Sequence, residues 1–175
     1  MTEKQINILQ AALELFAEEG FKSTSTSKVA QKAGVSEGLI FRHFTNKEGL
    51  LEAILKEGEA KAKELFGDIL AESDPKEVLR KTIEVGLKLK SSPDTYRFWK
   101  LQFKLKWELE YYAEHKMQDL REKLTDAFQY LRYKNPEMEA NLLLVILDGM
   151  ATRFLLQQSY DLQFMIDYLI QKYGL

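Results

Sequence analysis

The sequence predicts an all-α protein, and three observations carry this prediction. Apolar residues recur with helical spacing along most of the 175 residues, whereas the alternating pattern of a strand is almost absent. Each of the three prolines follows a residue that commonly caps helices, which places the proline at a first helical position. Three residue pairs have the spacing of a capping box at a helix start: Thr2 with Gln5, Thr45 with Glu48, and Asp74 with Glu77.

About nine helices are expected, with short connections between them. Their predicted ranges are roughly 3–19, 26–33, 37–43, 46–72, 75–90, 93–113, 116–133, 136–158 and 161–173. Residues 1–45 form short helices separated by small and hydroxyl residues, whereas the later helices are longer and contain both tryptophans and all eight tyrosines. The fourth helix begins near this change in composition, so we expect a first domain at 1–46 and a second at 47–175.

The composition excludes several kinds of site. With no cysteine and two histidines, neither a disulfide framework nor a Cys- or His-rich metal site is expected, and we predict no cofactor. The formal net charge of −2 is not typical of a generic nucleic-acid binder, so any DNA contact must come from a local basic patch. The longest apolar run, 142–147, is far shorter than the roughly 20 residues that cross a bilayer. Without a secretory signal, the protein is expected to be cytoplasmic and free of membrane contacts.

The second and third helices have the pattern of a helix-turn-helix unit. Hydroxyl residues at 23–27 precede the second helix, where they can cap free backbone N–H groups or help to bind an anion. Gly34, Val35 and Ser36 then supply a turn, an apolar plug and the next N-cap. A helix that follows such a glycine turn is the element that enters the DNA major groove in helix-turn-helix proteins.

The candidate recognition helix covers residues 37–44. Helical spacing directs Ile40 and Phe44 inward and leaves four residues facing outward: Gly38, Leu39, Arg42 and His43. Residues 22–47 carry a charge balance of +4, whereas residues 1–21 carry −3. Positive charge therefore gathers around this helix, as expected for a surface that contacts phosphates.

Three consecutive stretches resemble the TetR family of bacterial one-component transcriptional regulators: ALELFAEEGF, TSTSKVAQKAGVS and EGLIFRHFTNKEGLLEAIL, over about residues 6–55. The resemblance implies a homodimer whose N-terminal helix-turn-helix binds a double-stranded DNA operator. It also implies a divergent C-terminal domain that binds a small effector. DNA binding is thereby assigned to residues 1–46, and effector binding and dimerisation to residues 47–175.

Candidate DNA-contacting residues come from the starts of the second, third and fourth helices and from the recognition helix: Ser25, Thr26, Ser27, Ser36, Glu37, Gly38, Leu39, Phe41, Arg42, His43 and Lys47. The resemblance implies phosphate contacts for His43 and Lys47, although a lone histidine can also be hydrogen-bonded only locally. Phe41 replaces a usual tyrosine, Leu39 a small or hydroxyl residue, and Glu37 a common lysine or arginine. The resemblance therefore predicts DNA binding but not the operator sequence.

The predicted helix at 93–113 has two opposed apolar stripes. One stripe is aromatic: Tyr96, Trp99, Phe103, Trp107 and Tyr111. The other is formed by Phe98, Leu101, Leu105, Leu109 and Tyr112. A surface helix needs only one such stripe, so this helix is expected to lie between the core and something else. The aromatic stripe is the candidate lining of a cavity for an apolar or aromatic effector, and the alternative is that it belongs to the core.

The predicted helix at 136–158 is apolar nearly all round at 142–147, which indicates burial on every side. The TetR family pairs its last two long helices with their copies as a four-helix bundle. The resemblance therefore places four residues at or near a two-fold interface: Leu143, Ile146, Gly149 and Met150. A glycine there would let two helices approach closely.

Together these features predict a ligand-responsive DNA-binding regulator, most simply a repressor released from a palindromic operator by a small effector. Two alternatives stay open at this point. The chain could be a helical interaction protein that has lost DNA binding, or a small helical enzyme. Residues 56–175 contain no phosphate loop, no nucleophile with a nearby base and no spaced histidine pair, so an enzyme is not expected.

Overall fold

The computed structural model describes residues 1–90, 92–110, 117–157 and 159–175, and all regular structure within them is helical. The α-helices are α1 Glu3–Glu19, α2 Thr26–Ala33, α3 Glu37–Phe44, α4 Lys47–Leu70, α5 Pro75–Glu84, α6 Pro93–Glu108, α7 Gln118–Tyr130, α8 Pro136–Leu156 and α9 Leu162–Tyr173. The all-α prediction is confirmed, and α1 and α2 begin and end at the predicted residues. A 3₁₀ helix at Val85–Lys90 replaces the predicted last turns of α5.

The polar residues before the helices explain where several of them begin. Thr2 and Gln5 form the predicted capping box: Thr2 Oγ1 accepts from the Gln5 amide at 3.3 Å, and Gln5 Oε1 accepts from the Thr2 amide at 2.8 Å. Asp74 and Ser92 accept backbone N–H groups at the starts of α5 and α6, each directly before a proline. Proline costs no hydrogen bond there, because that N–H has no partner within the helix.

The chain between α3 and α4 differs from its prediction. Thr45 does not cap α4; the Asn46 side chain does, accepting from the Gly49 amide at 2.7 Å. Thr45 has φ 66° and ψ −51°, and the Asn46 amide donates to the Phe44 carbonyl at 2.7 Å across it. These values define a γ-turn of the rare, strained kind with positive φ. A Cβ at Gly49 would overlap the Phe44 carbonyl oxygen, so glycine is what allows α4 to begin so close to the end of α3.

The helices form two compact units. Unit 1 contains Met1–Ala62 and Lys90–Tyr112, and unit 2 contains Lys63–Leu89 and Ala113–Leu175. This packing does not follow the predicted division between residues 46 and 47, because α6 belongs to unit 1. Its Leu101 and Leu105 are buried in a core that also contains Ile8, Phe16 and Ile40. Two residues of the predicted stripe, Leu101 and Leu105, are therefore core, whereas Leu109 is exposed and Tyr112 lies outside the described residues.

Unit 2 has its own core, built from α5, α7, α8 and α9. Leu79, Leu124, Phe128 and Ile166 are fully buried there. The Phe128 ring packs against Tyr173 with centroids 5.6 Å apart, and burial raises the pKa of Tyr173. Among the described residues, no helix is long and apolar enough to cross a membrane.

Candidate nucleic-acid interface

The α2–turn–α3 segment has the geometry of a helix-turn-helix. Ser25 caps α2 by accepting from the Lys28 amide at 3.2 Å. Gly34 ends α2 in the left-handed conformation, with φ 67°, which turns the chain sharply toward α3. Thr26 Oγ1 donates to Glu37 Oε1 at 2.5 Å and so joins the starts of the two helices. Ser36 is the N-cap residue of α3 but makes no side-chain capping bond, so its hydroxyl is available to a ligand.

The structure brings the predicted DNA-contacting residues together on unit 1. Six of them are exposed: Ser25, Ser27, Ser36, Gly38, Phe41 and Arg42. The other five are half-buried: Thr26, Glu37, Leu39, His43 and Lys47. Ile40 is fully buried, as the periodicity predicted, and the Phe41 side chain keeps 47% of its surface exposed. A Cβ at Gly38 would meet no described atom within 4 Å, so this turn of α3 is open to a close approach by DNA.

The basic patch is more neutral than its sequence indicates, because α1 supplies acidic partners. Lys28 Nζ lies 2.5 Å from Glu19 Oε2, and Lys32 Nζ lies 2.8 Å from Glu14 Oε1. The hydrogen bond from Lys32 holds the pKa of Glu14 below its usual value, so this carboxylate stays ionised. Within the described chain, Arg42 has no ion-pair partner of this kind. Arg42 is therefore the cation of α3 that is free to meet a phosphate or a base.

Lys47 holds the turn between α1 and α2. Its ammonium donates to the carbonyl oxygens of Phe21 at 3.0 Å and Thr24 at 3.1 Å, and it lies 4.4 Å from the centre of the Phe21 ring. An ammonium has three N–H donors, so one remains for a phosphate. Its predicted phosphate contact thus stays a prediction, and the structure adds a positioning role that the sequence did not reveal.

His43 is oriented by the capping box of α1. Gln5 Oε1 accepts from the Thr2 amide, which directs Gln5 Nε2 toward His43 Nδ1, 3.4 Å away. An amide nitrogen only donates, so Nδ1 must accept, and the neutral ring carries its proton on Nε2. That N–H is the group a DNA phosphate would need. The local hydrogen bond and the predicted phosphate contact are therefore compatible, because they use different ring nitrogens.

Comparison with known proteins bears on this same segment. Residues 8–54 match the model of the tetR family of bacterial regulatory proteins. These residues therefore form a tetR-family segment. The HTH-type transcriptional regulator YvkB of Bacillus subtilis is 50% identical over 50 residues, which are 29% of this chain and 26% of that protein. The HTH-type transcriptional repressor Rv1474c of Mycobacterium tuberculosis is 32% identical over 108 residues, 57% of this chain and 58% of the repressor.

A solved structure shares the fold of nearly the whole chain. A transcriptional regulator from Saccharomonospora viridis, solved in complex with choline, superposes with a TM-score of 0.77, covering 98% of this chain and 95% of that one at 18% identity. At this identity the likeness shows the fold alone. The chain spans just over half of the Mycobacterium tuberculosis repressor and about a quarter of the Bacillus subtilis regulator. The family model matches residues 8–54, which contain the α2–turn–α3 segment.

The aromatic stripe of α6 lies away from the Leu101 and Leu105 side. Tyr96, Trp99 and Phe103 are half-buried, and Trp107 keeps 86% of its side-chain surface exposed. Tyr111 lies outside the described residues. The stripe is thus separate from the core of unit 1, and its role in effector binding stays a prediction. A cavity of about 180 Å³ in unit 2 contains none of these aromatics and is smaller than about 300 Å³, the low end for small-molecule sites.

The four candidate interface residues differ in their exposure. Leu143 and Met150 are buried within unit 2, so their side chains serve its own core. Ile146 is half-buried, and only Gly149 is exposed. The sequence could not place these residues correctly. Helical periodicity defines the faces of α8, but it does not show which face is buried within the protomer and which is left exposed. The exposed apolar residues of α8 are instead Met138, Leu142, Val145 and Leu156.

Sequence reasoning missed the residues that support the interface from other helices. Gln5 orients His43, the α1 glutamates pair with α2 lysines, and Glu108 of α6 accepts from the Lys22 amide at 3.0 Å. Gln5 was identified only as a capping residue. The others belong to different helices and have no motif, so only the packed structure shows them. Metal chemistry has no support in the described residues, where no group of three His, Asp or Glu side chains could hold an ion.

Proposed function

We propose that this chain is a DNA-binding transcriptional regulator, most simply a repressor, whose homodimer binds a palindromic operator and is released by a small effector. One observation carries the proposal. Within the family-matched residues 8–54, the turn at Gly34 presents α3 with Gly38, Phe41 and Arg42 exposed on one surface. In helix-turn-helix proteins this helix enters the major groove, and flanking helix N-termini contact phosphates. In a bacterium, such a regulator would act in the cytoplasm.

Exposed apolar residues of α8 and α9 support the homodimer. Met138, Leu142, Val145 and Leu156 follow one side of α8, with exposed Gly149 among them. On α9, Phe164 and Tyr168 are exposed one helical turn apart. Contiguous apolar surface of this kind commonly marks a protein–protein interface. A two-fold pairing of these helices would supply two recognition helices for successive major grooves, which lie about 34 Å apart.

The aromatic stripe of α6 supports an apolar or aromatic effector. Trp99 and Phe103 offer rings to a ligand, and Lys100 and Gln102 lie beside them on the helix. Binding sites for small molecules are mostly apolar with a few polar groups that fix orientation. The Saccharomonospora viridis structure shows that a chain of this fold can hold a small molecule, choline in that case. The chemical identity of the effector is left to experiment.

The proposal is tested by the salt dependence of DNA binding. Fluorescence anisotropy would measure the affinity of the full chain for labelled fragments from upstream of its own gene, at several salt concentrations, against a scrambled duplex. We expect one fragment to bind at least about 1,000-fold more tightly than the scrambled duplex, with affinity falling steeply as salt rises. Equal, weak binding to every duplex would instead favour a helical interaction protein.

The effector is found by native mass spectrometry of small molecules retained by the purified protein. Adding back a retained molecule should weaken operator binding by about 5- to 150-fold, the range of a typical allosteric coupling. Release of the same molecule unchanged agrees with a regulator. Its conversion to a product would favour the enzyme alternative.

A further inference from the structure

The end of α1 and the turn after it are held by polar side chains of α6. Lys100 Nζ lies 2.6 Å from Glu18 Oε2, and Lys104 Nζ donates to the Glu18 carbonyl oxygen at 2.7 Å. The last carbonyls of a helix lack partners within the helix, and the last turn of α1 contains no basic residue of its own. The cation that normally favours a helix C-terminus is therefore supplied by α6.

Glu108, the last residue of α6, reaches the turn itself. Its Oε2 accepts from the Lys22 backbone amide at 3.0 Å. The carboxylate lies here against a residue that has no side chain. Gly20 has φ 97°, and a Cβ there would overlap the Glu108 carboxylate. A carboxylate on a backbone N–H is a charge-assisted hydrogen bond, about twice as strong as a neutral one.

The turn leads directly into the DNA-facing end of α2. Thr24 is buried, and its hydroxyl donates to the Gly20 carbonyl at 2.8 Å, which closes the turn internally. Lys47 of α4 donates to the Phe21 and Thr24 carbonyls. Two helices therefore hold the segment that precedes Ser25. Glu108 of α6 accepts from its Lys22 N–H, and Lys47 of α4 donates to its Phe21 and Thr24 carbonyls.

We propose that Glu108 is a positioning residue for DNA binding: its hydrogen bond to the Lys22 amide sets where the N-terminal end of α2 meets the operator. This inference rests on the proposed function and deepens it, because Glu108 directly follows Trp107 on the helix that carries the candidate effector residues. An effector that displaces the end of α6 would withdraw Glu108 and loosen the turn. The DNA-facing end of α2 would then lose its fixed position.

Two substitutions of Glu108 test separately whether the length of its side chain or its charge matters. Glu108→Asp keeps the charge but shortens the side chain by one methylene, so the hydrogen bond to Lys22 is broken. Glu108→Gln keeps the reach and an acceptor oxygen but removes the charge. Glu110→Asp, an identical change two residues further on at an exposed site with φ 51°, is the matched control because aspartate tolerates that conformation.

Operator affinity of the full chain, measured by fluorescence anisotropy, and hydrogen exchange of the amides at 22–24 test the inference. We expect Glu108→Asp to weaken operator binding about tenfold and to speed exchange at the Lys22 amide. Glu108→Gln, which keeps a weaker neutral hydrogen bond, should lose less affinity than Glu108→Asp, and Glu110→Asp should stay near wild type. The inference is overturned if Glu108→Asp binds like wild type, or if Glu108→Gln weakens binding as much as Glu108→Asp. A wild-type chain that binds no duplex would overturn the proposed function, and the inference with it.

Discussion

The region around α2 and α3 in unit 1 and the helices α8 and α9 in unit 2 expose different kinds of surface. Apart from Phe41, the exposed residues around α2 and α3 are mainly polar or charged. Most of the cations there already have a partner: Lys28 has Glu19, Lys32 has Glu14, and Lys47 has two carbonyls. In unit 2, α8 and α9 expose apolar side chains. The difference agrees with the proposed roles, in which unit 1 presents a few charges in fixed positions to DNA and unit 2 pairs its apolar surface with that of a second copy.

The strongest way to break this comparison is to place a charge on the exposed apolar side of α8. The Val145 side chain is 68% exposed in the single chain, so Val145→Glu should fold. A two-fold contact would then contain two unpaired like charges, and the dimer should dissociate. Because half-site affinities no longer combine, operator affinity should fall by about 100-fold or more. Sedimentation velocity and anisotropy measure both effects.

Tyr130→Glu is the matched control for this first prediction. Tyr130 lies on α7 of the same unit, and its side chain is 76% exposed. The substitution adds the same charge at an exposed apolar residue outside α8 and α9, so the mass of the dimer and the operator affinity should stay near wild type. A Val145→Glu protein that sediments as a dimer of wild-type mass would place the interface elsewhere.

In unit 1, Lys47→Ala tests whether this lysine positions the turn. The variant lacks two charge-assisted hydrogen bonds to the Phe21 and Thr24 carbonyls, so the free energy of unfolding should fall by about 1–3 kcal/mol. Urea denaturation followed by circular dichroism measures the change. Lys56→Ala, at an exposed position of the same helix, should change stability by less than about 0.5 kcal/mol. Equal stabilities for the two variants would remove the positioning role of Lys47.

Arg42→Ala tests a cation that is expected to contact DNA, in contrast to Lys47, which stabilises the turn between α1 and α2. The Arg42 side chain is exposed on α3, so its removal should leave the unfolding free energy within about 0.5 kcal/mol of wild type. Operator affinity should fall about tenfold. The slope of log affinity against log salt should become shallower by about one unit for each phosphate that the arginine no longer neutralises. An unchanged affinity and slope would mean that α3 does not face DNA as proposed.

The sequence predicted the ranges of the helices better than the details of the segments that join them. The ranges of α1 and α2, the Thr2–Gln5 capping box and the burial of Ile40 follow from local patterns, which depend on spacing alone. The predicted cap at Thr45 was wrong because two adjacent polar residues competed for one position, and the strained turn at Thr45 leaves the cap to Asn46. Spacing cannot choose between such neighbours.

The candidate site was predicted in part for a similar reason. Charge counting located the basic patch but could not show that glutamates of α1 lie on two of its lysines. Periodicity identified α8 as apolar all round but could not separate Leu143, which the protomer buries, from Val145, which it exposes. Both answers depend on which helices pack together, and residues far apart in the sequence determine that packing.

The smallest expected effect concerns a charged pair in unit 2 that has no part in the proposed DNA binding. Lys81 Nζ lies 2.5 Å from Glu72 Oε2, and the Ser73 and Asp74 amides donate to the other oxygen at 2.8 Å and 3.1 Å. The hydrogen bond from Lys81, followed by those from the amides, lowers the pKa of Glu72 to about 2. A lowered folded-state pKa stabilises the protein above the ordinary value of 4.5, and this stabilisation is lost as the pH falls from 4.5 toward 2.

Glu72→Gln should therefore be slightly less stable than wild type at pH 7, and this difference should shrink as the pH falls from about 4.5 to 2. The effect is small because the pair lies at the surface, where solvent screens the attraction. Lys81→Met removes the partner of Glu72. The double variant Glu72→Gln/Lys81→Met should therefore lose less stability than the two single variants lose in total, and the difference is the coupling free energy of the pair. Thermal unfolding by circular dichroism between pH 2 and 7 measures all four proteins. Operator affinity at pH 7 should be the same in all four proteins. Strictly additive losses of stability, or a stability difference between wild type and Glu72→Gln that persists at pH 2, would show that the pair does not act as described.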